Sequence, residues 1–173
     1  MIGLPKFKKE YFQKLSTRPV TIKPYDPKSQ PVAKKYIRKL TKLLNGFGVE
    51  ITHRSSTAFK ISGKGDIELG IYPIRKSWYQ VLERLINHYK GVGCLEKNYA
   101  RFNDRFEGFE IEVIVLRGRE ATVDKKLTKY LLSHPEILKR YEELKKKYSF
   151  SHREYQIQKD KFLRKLVRQI PAD

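Results

Sequence analysis

Two acidic residues separated by one hydrophobic residue carry the clearest chemical signal in this chain. The segment Asp66-Ile67-Glu68-Leu69 alternates polar and apolar residues, and the alternation continues to Tyr72. Because successive side chains of a β-strand point to opposite faces, Asp66 and Glu68 are expected on one face, about 7 Å apart. Carboxylate oxygens placed in this way are the ligands that Mg²⁺ prefers. The segment therefore predicts a metal site built on a strand.

A second acidic strand offers a third carboxylate. Residues 109–116 also alternate, and Glu110 and Glu112 fall on the same face of that strand. If this strand lies beside the first, one of these two residues completes a site for two metal ions. Glu112 is the first choice for that ligand and Glu110 the second.

A hydroxyl-rich turn precedes the acidic pair. Residues 49–53 alternate as a strand, and Ser55, Ser56 and Thr57 follow it. Hydroxyl and backbone N–H groups at such a turn can hold phosphate oxygens. An isolated Asp-x-Glu on a strand is usually a solvated face, but the serine pair and the second acidic strand argue against that interpretation. Together they indicate a nucleoside triphosphate (NTP) bound through Mg²⁺ or Mn²⁺.

The rest of the chain supplies the elements that must position these residues. Hydrophobic periodicity predicts helices over 29–45 and between Ser77 and Gly91. Further predicted elements are a short strand over 20–23, a strand over 94–102, a connection at 103–104, and helices over 121–132, 135–148 and 152–169. We expect one domain over 1–173, in which 1–19 form a basic arm or a short helix.

Composition narrows the classes of protein. The net charge of +19 attracts polyanions, which makes nucleic acid a candidate partner. Cys94 is the only cysteine, so an intrachain disulfide is excluded. No segment reaches the about 20 apolar residues of a membrane span, and the N-terminus lacks the apolar core of a signal peptide. We therefore expect a cytoplasmic location.

The three consecutive lysines at 145–147 are interpreted as a solvated helix end, where their charge is favourable toward the helix dipole.

Several segments, in the same order, resemble the GrpB family of the DNA-polymerase-β-like nucleotidyltransferase superfamily. Residues 51–58 resemble the family's Ile-Glu-His-Ile-Gly-Ser-Thr-Ala, and Asp66-Ile67 stands where that family has its Ile-Asp-Ile strand. The segment 134–136 resembles a His-Pro-Glu helix start. Tyr155, Lys159 and Phe162 match a Tyr-x-x-x-Lys-x-x-Phe signature on the last helix. The resemblance covers residues 24–165.

This resemblance implies an α+β, nucleotidyltransferase-like fold, with a small mixed sheet flanked by helices and followed by C-terminal helices. It also implies that Lys159 reaches the triphosphate, while the many lysines of the chain favour a solvated role for it equally. Two departures stand out. Ser55 replaces the family's glycine, and Glu110 and Glu112 replace a His-x-His pair that is frequent in the family. The second change brings the site closer to the three carboxylates of active superfamily members.

Two functions compete on this basis. In the first, Asp66, Glu68 and Glu112 or Glu110 hold the metal ions, and the chain moves a nucleotidyl group from ATP or another NTP to a hydroxyl acceptor. The alternative is a non-catalytic, basic RNA-binding module on the same fold, favoured by Ser55 and by the charge. A third possibility is an accessory, antitoxin-like protein. The acceptor, the base preference and the oligomeric state have no signal in the sequence.

Overall fold

The structure is a computed structural model that describes residues 9–170, so residues 1–8 of the predicted arm lie outside it. The helices are α1 Lys9–Gln13, α2 Ser29–Leu43, α3 Ser55–Ala58, α4 Trp78–Tyr89, α5 Gly118–Ser133, α6 Pro135–Lys147 and α7 His152–Gln169. The strands are β1 Val49–Arg54, β2 Ile67–Pro73, β3 Cys94–Glu96, β4 Tyr99–Phe106 and β5 Phe109–Leu116.

The strands form one mixed sheet with the order β1-β2-β5-β4-β3. β2 and β5 are parallel neighbours, and the other adjacent pairs are antiparallel. A parallel pair requires a long crossover, and the segment containing α4, β3 and β4 provides it. The two strands predicted to carry the carboxylates are therefore adjacent. The α+β class and the small mixed sheet are as predicted.

One face of the sheet is the main hydrophobic core. Ile67, Leu69 and Ile71 of β2 are fully buried there together with alternate residues of β5. Helices α2 and α4 cover this face with Tyr36 and Leu40, and with Trp78, Val81 and Leu85. The apolar positions of α2 recur at intervals of about one helical turn, which is why the whole stripe can be buried.

The opposite face of the sheet carries acidic and other polar side chains among apolar ones. Glu68 and Tyr72 of β2 lie on it, beside Glu112, Ile114 and Leu116 of β5. The C-terminal helices α5, α6 and α7 lie on this side, and they share a small hydrophobic cluster of their own around Leu127, Leu131 and Leu166. A second layer of helices therefore encloses the acidic face of the sheet.

Two strand predictions are wrong. The segment predicted as one strand over 94–102 is a hairpin of β3 and β4, which turns at Lys97-Asn98. Asn103-Asp104, predicted in a connection, lie inside β4, where they pair with β5. The actual connection is Glu107-Gly108. Both residues have positive φ, as a two-residue hairpin turn requires.

In the N-terminal part the short strand predicted over 20–23 is wrong, whereas the short helix that is one of the predicted alternatives for 1–19 is present. Lys23 forms only an isolated antiparallel bridge with Gly63. The predicted arm contains the short helix α1, which packs against α7. In the described residues, no helix is both long enough and apolar enough to cross a membrane.

Candidate metal and nucleotide site

Three predicted carboxylates converge on the polar face of the sheet. One side-chain oxygen from each of Asp66, Glu68 and Glu112 lies within 4.8 Å of the other two. Oxygens around one Mg²⁺ stand about 2.1 Å from the ion and hence at most about 4.2 Å from one another. Small side-chain movements therefore suffice to hold a divalent cation. No other group of three His, Cys, Asp or Glu residues within 9–170 is clustered so closely.

The strand register explains this convergence. Glu68 pairs with Glu112 across the parallel strands β2 and β5, so the two carboxylates are direct neighbours on one face. Like charges directly opposite each other destabilise a sheet. Burial, followed by the charge of Glu68, raises the pKa of Glu112 above its usual value. A bound cation would remove this repulsion, so the residues present fit a metal ion.

Glu110, the second choice for the third ligand, is not part of this cluster. It points to the same side of β5 as Glu112 but lies nearer the start of the strand, where its side chain is 62% exposed and pairs with Arg105. The geometry therefore favours Glu112 over Glu110.

Each carboxylate of the cluster also has a basic neighbour. Lys64 Nζ lies 3.2 Å from Asp66 Oδ2, and Arg101 Nη1 lies 3.5 Å from Glu112 Oε1. The third neighbour is Arg54, whose Nε lies 3.6 Å from Glu68 Oε2. These cations reduce the repulsion among the carboxylates while leaving carboxylate oxygens for a metal ion.

Arg54 is fixed by a chain of contacts that the sequence did not reveal. Its Nη2 lies 2.8 Å from Asp124 Oδ1, and Asp124 Oδ2 accepts a hydrogen bond of 2.6 Å from the Tyr72 hydroxyl. Tyr72 can lie across the sheet because position 70 is glycine, where a Cβ would stand 2.4 Å from that hydroxyl. Although burial acts to lower it, Asp124 and then Glu68 raise the pKa of Arg54. Arg54 therefore remains a fixed cation.

The hydroxyl turn begins with a strained residue. Ser55 has φ of 72°, in the left-handed region that favours glycine. Glycine would adopt this conformation without the strain that the Cβ of serine adds. The Ser55 hydroxyl is buried, and among the described residues it has no hydrogen-bond partner. The strained turn therefore holds a hydroxyl with unused hydrogen-bonding capacity.

Thr57 has a structural role. Its hydroxyl donates a 3.0 Å hydrogen bond to the backbone oxygen of Asp66. That hydroxyl is also 2.9 Å from His53 Nε2, and burial lowers the pKa of His53 to about 4, so the ring is neutral. Since the single hydroxyl proton goes to Asp66, His53 must donate to Thr57. Thr57 fixes the start of the acidic strand, and the structure does not direct it toward a phosphate.

Ser56 is held by Lys145, which the sequence placed on a solvated helix end. That interpretation is wrong for Lys145, because its side chain is fully buried at 0% exposure. Its Nζ donates to Ser56 Oγ and to the Ser62 carbonyl oxygen, both at 2.5 Å. Burial, and next the charge of Lys159, lowers the pKa of Lys145 to about 7. This amine therefore links helix α6 to the hydroxyl turn.

Lys159 lines the cavity beside the carboxylates, and its contact with a triphosphate, which the resemblance implies, stays a prediction. The Lys159 side chain also lies near the hydroxyl groups of Tyr141 and Tyr155. Tyr141 contributes most to raising the pKa of Lys159 well above its usual value, against the effect of burial, and Glu68 and Asp66 act in the same direction. Lys159 is therefore a permanent cation facing the acidic cluster.

A cavity of about 460 Å³ opens beside these groups, a volume within the range of about 300–1,000 Å³ typical of small-molecule sites. The charged residues of its lining are Arg54, Lys64, Glu68, Arg101, Glu112, Glu120, Asp124, Lys159 and Asp160. The apolar and aromatic residues of its lining include Tyr11, Phe12, Leu15, Ile114, Leu116 and Leu163. Asp66 and the hydroxyl turn do not belong to the lining. The cavity therefore offers a ligand both charged and apolar surface.

Sequence reasoning missed three residues of the site. Asp124 and Arg54 are distant in sequence, and nothing in either segment indicates their pairing. Lys145 had a signal, because it follows Tyr141 by four residues on one helix, and such residues share a face. Tyr141 is buried, so Lys145 is buried as well.

Two of the solved structures that match this fold are the following. The "structure of GLD-2/RNP-8 complex" matches with a TM-score of 0.51 and 14% identity, over 78% of this chain and 54% of that chain. The Cid1 poly(U) polymerase with Mg and 3′-dATP bound matches with a TM-score of 0.50 and 12% identity, over 78% of this chain and 42% of that chain. This chain thus spans about half the length of the chains it matches. The fold is that of the nucleotidyltransferases.

Sequence comparisons identify the family. A comparison with curated proteins gives no significant match. The family model described as "GrpB protein" matches residues 19–169, which is most of the chain. This match extends from the segment before α2 to the end of α7, and it contains all three carboxylates of the cluster. The chain therefore belongs to the GrpB family.

Proposed function

We propose that this protein is a metal-dependent nucleotidyltransferase that moves a nucleotidyl group from an NTP to a hydroxyl acceptor. The observation that supports the proposal best is the convergence of Asp66, Glu68 and Glu112 within 4.8 Å, on the fold that the chain shares with a poly(U) polymerase. The hydroxyl turn and Lys159 supply groups suited to phosphate on the same side of the sheet.

Asp66, Glu68 and Glu112 are the residues that would hold Mg²⁺ or Mn²⁺. A bound ion would neutralise charge on the phosphates and stabilise the attacking and leaving oxygens. The protein contributes a fixed arrangement of ligands. The Thr57 hydroxyl holds the start of β2 through its hydrogen bond to the Asp66 carbonyl oxygen. Arg54 forms ion pairs with both Glu68 and Asp124, which fixes the Glu68 carboxylate.

The proposed reaction forms one bond and breaks one. The oxygen of the acceptor hydroxyl bonds to the α-phosphorus of the NTP, and the bond from that phosphorus to the bridging oxygen breaks, which releases pyrophosphate. The acceptor's proton passes to Glu112, which lines the cavity. Lys64 and Lys159 lie where they can bind the leaving phosphates and offset their charge.

Ser55 and Ser56 of the hydroxyl turn are proposed to hold the β- and γ-phosphates. Lys145 fixes Ser56 against the 62–63 loop, and Gly63 permits close packing, since a Cβ there would lie 2.6 Å from Ser56 Oγ. The free hydroxyl of Ser55 is the second candidate donor. Positioning and charge neutralisation, rather than covalent chemistry, would supply most of the rate enhancement.

The direct test is a screen of the four NTPs, each with Mg²⁺ and with Mn²⁺, for binding and for pyrophosphate release in the presence of RNA, protein and small hydroxyl acceptors. At least one NTP should bind only when the metal is present. Absence of metal-dependent binding for all four would contradict the proposal.

An RNA-binding role is the second candidate, and the charge of α2 favours it. The helix contains no acidic residue, and it exposes Lys34, Lys35, Arg38, Lys39 and Lys42. If this surface binds RNA, affinity should fall steeply as salt rises, because neutralised phosphates release their counterions. RNA could then serve as the nucleotidyl acceptor or as a ligand alone, and a salt titration with a short single-stranded RNA tests binding. No binding at low salt would exclude this role.

A further inference from the structure

The apolar lining of the cavity includes an aromatic wall that lies outside the family match. Tyr11, Phe12 and Leu15, from α1 and the residues after it, line the cavity, whereas the GrpB match begins at residue 19. The N-terminal segment therefore adds to this cavity a surface that membership of the family does not account for.

This segment is held against the start of α7. Arg153 Nη2 donates hydrogen bonds to the backbone oxygens of Gln13 and Leu15, at 2.6 and 3.1 Å. The backbone N–H of Arg153 also donates to the Ser16 carbonyl oxygen, at 3.0 Å. The wall is thus positioned by several hydrogen bonds before any ligand enters.

The shape of the wall suits a flat ring. The rings of Tyr11 and Phe12 are 5.4 Å apart between centroids and nearly perpendicular, at 78°. A planar group that stacks on one ring therefore lies nearly perpendicular to the other, and edge-to-face contact is an arrangement that aromatic pairs prefer. Ile114 and Leu116 of β5 and Leu163 of α7 also line the cavity.

The aromatic wall and the charged residues line one cavity. Tyr11 and Arg101 both belong to its lining, and Arg101 Nη1 lies 3.5 Å from Glu112 Oε1. An NTP has the same two parts, a flat apolar base and a charged triphosphate bound to metal. The cavity therefore matches a nucleotide whose phosphates face Glu112 and Lys159 and whose base faces α1.

We propose that α1 forms the nucleobase site, in which Tyr11 and Phe12 stack on the base of the bound NTP. This inference rests on the proposed function, because it assigns the second half of the same ligand. It makes the N-terminal segment a determinant of nucleotide affinity that acts on the base and leaves the triphosphate contacts unchanged.

The test compares a ligand that has a base with one that lacks it. The probes are inorganic tripolyphosphate and the NTP that binds most tightly, each with Mg²⁺, measured by calorimetry on the full chain. The double variant Tyr11→Ala/Phe12→Ala should bind the NTP about 5- to 150-fold more weakly, since stacking on one base is worth that factor. Its affinity for tripolyphosphate should stay unchanged. Phe150→Ala, an exposed aromatic outside the cavity lining, is the matched control and should alter neither.

Two further variants separate stacking from packing and folding. Tyr11→Leu/Phe12→Leu keeps apolar bulk without aromatic faces and should still lose NTP affinity. Arg153→Gln, which removes the hydrogen bonds that hold the segment, should lower the affinity for the NTP and leave the affinity for tripolyphosphate unchanged.

Equal losses of affinity for both probes, or no loss for either, would overturn the inference. If wild type binds both probes equally well, the base site is wrong but the proposed function stands. If it binds neither, the proposed function fails and this inference with it.

Discussion

On one face of β2 and β5, Ile67, Leu69 and Val113 are fully buried beneath α2 and α4, while the other face of the same strands carries Glu68 and Glu112 side by side. The first face contains apolar contacts that stabilise the fold. The second brings like charges together in a partly buried place, where they cost stability. A chain that needed only to fold would gain nothing from the second arrangement, which is why we place the function there.

The two faces also differ in how their residues are supported. Side chains of the core face need only apolar neighbours of the right size. Each carboxylate of the other face has its own cation, and Arg54 in turn depends on Asp124 and Tyr72. The acidic face is therefore an arrangement of fixed charges, and substitutions on the two faces should have different kinds of effect.

The largest expected effect is on turnover. Glu112→Gln should lower the rate of nucleotidyl transfer on the order of 10³-fold, because a metal ligand contributes several kcal/mol to the stability of the transition state. Glu110→Gln is the matched control, two residues away on the same strand and the same face, but exposed and paired with Arg105. Single-turnover rates of the two variants check this. Equal losses would remove Glu112 from the site.

The core face should respond in the opposite way. Leu69→Ala, next to Glu68 in β2 but fully buried on the other side, should lower the free energy of unfolding by about 2–5 kcal/mol through the cavity it leaves. NTP affinity measured at a temperature where the variant is folded should remain near that of wild type. A large loss of affinity in the folded variant would show that the two faces are not separable.

Lys145 gives a smaller, pH-dependent effect. Its pKa is about 7 in the folded protein and near 10.5 when unfolded, so between these values the unfolded chain binds the extra proton. The cost of burying Lys145 is therefore complete below pH 7 and is relieved as pH rises toward 10.5. Relative to Lys145→Met, wild type should gain about 1.4 kcal/mol of stability per pH unit across this window.

Urea denaturation of wild type and Lys145→Met at pH 7, 8 and 9 checks the slope. Lys139→Met, an exposed lysine on the same helix, should run parallel to wild type. If the stability of Lys145→Met changes with pH in the same way as that of wild type, the lysine is solvated, as the sequence alone indicated.

Local patterns predicted what is encoded locally. The alternation in β2 and β5 predicted which carboxylates share a face, and the hydrophobic periodicity predicted α2, α4, α6 and α7 to within a few residues. The hairpin of β3 and β4 was missed because Asn103-Asp104 has turn-forming composition but lies within a paired strand.

Contacts between distant segments could not be predicted in this way. The ion pair of Arg54 with Asp124 depends on how α5 crosses the sheet. The contact of Lys145 with Ser56 depends on how α6 packs against the hydroxyl turn. The spacing of Lys145 from Tyr141 indicates the shared face of the helix, but it does not identify this partner. The place of α1 at the cavity could not be predicted either, because it depends on the tertiary contact between α1 and α7.

The central claim, that the acidic face binds an NTP through a metal ion, is tested most directly by thermal melting of wild type and Asp66→Asn, with and without NTP and Mg²⁺. Ligand at about 100 times its Kd adds about 2.7 kcal/mol, so the Tm of wild type should rise by roughly 5–10 °C. Asp66→Asn should melt at or slightly above the wild-type temperature without ligand, because it relieves repulsion in the cluster, and should lose most of the shift. If neither protein shifts with any NTP, in Mg²⁺ or in Mn²⁺, the nucleotidyltransferase mechanism is contradicted and only the fold remains.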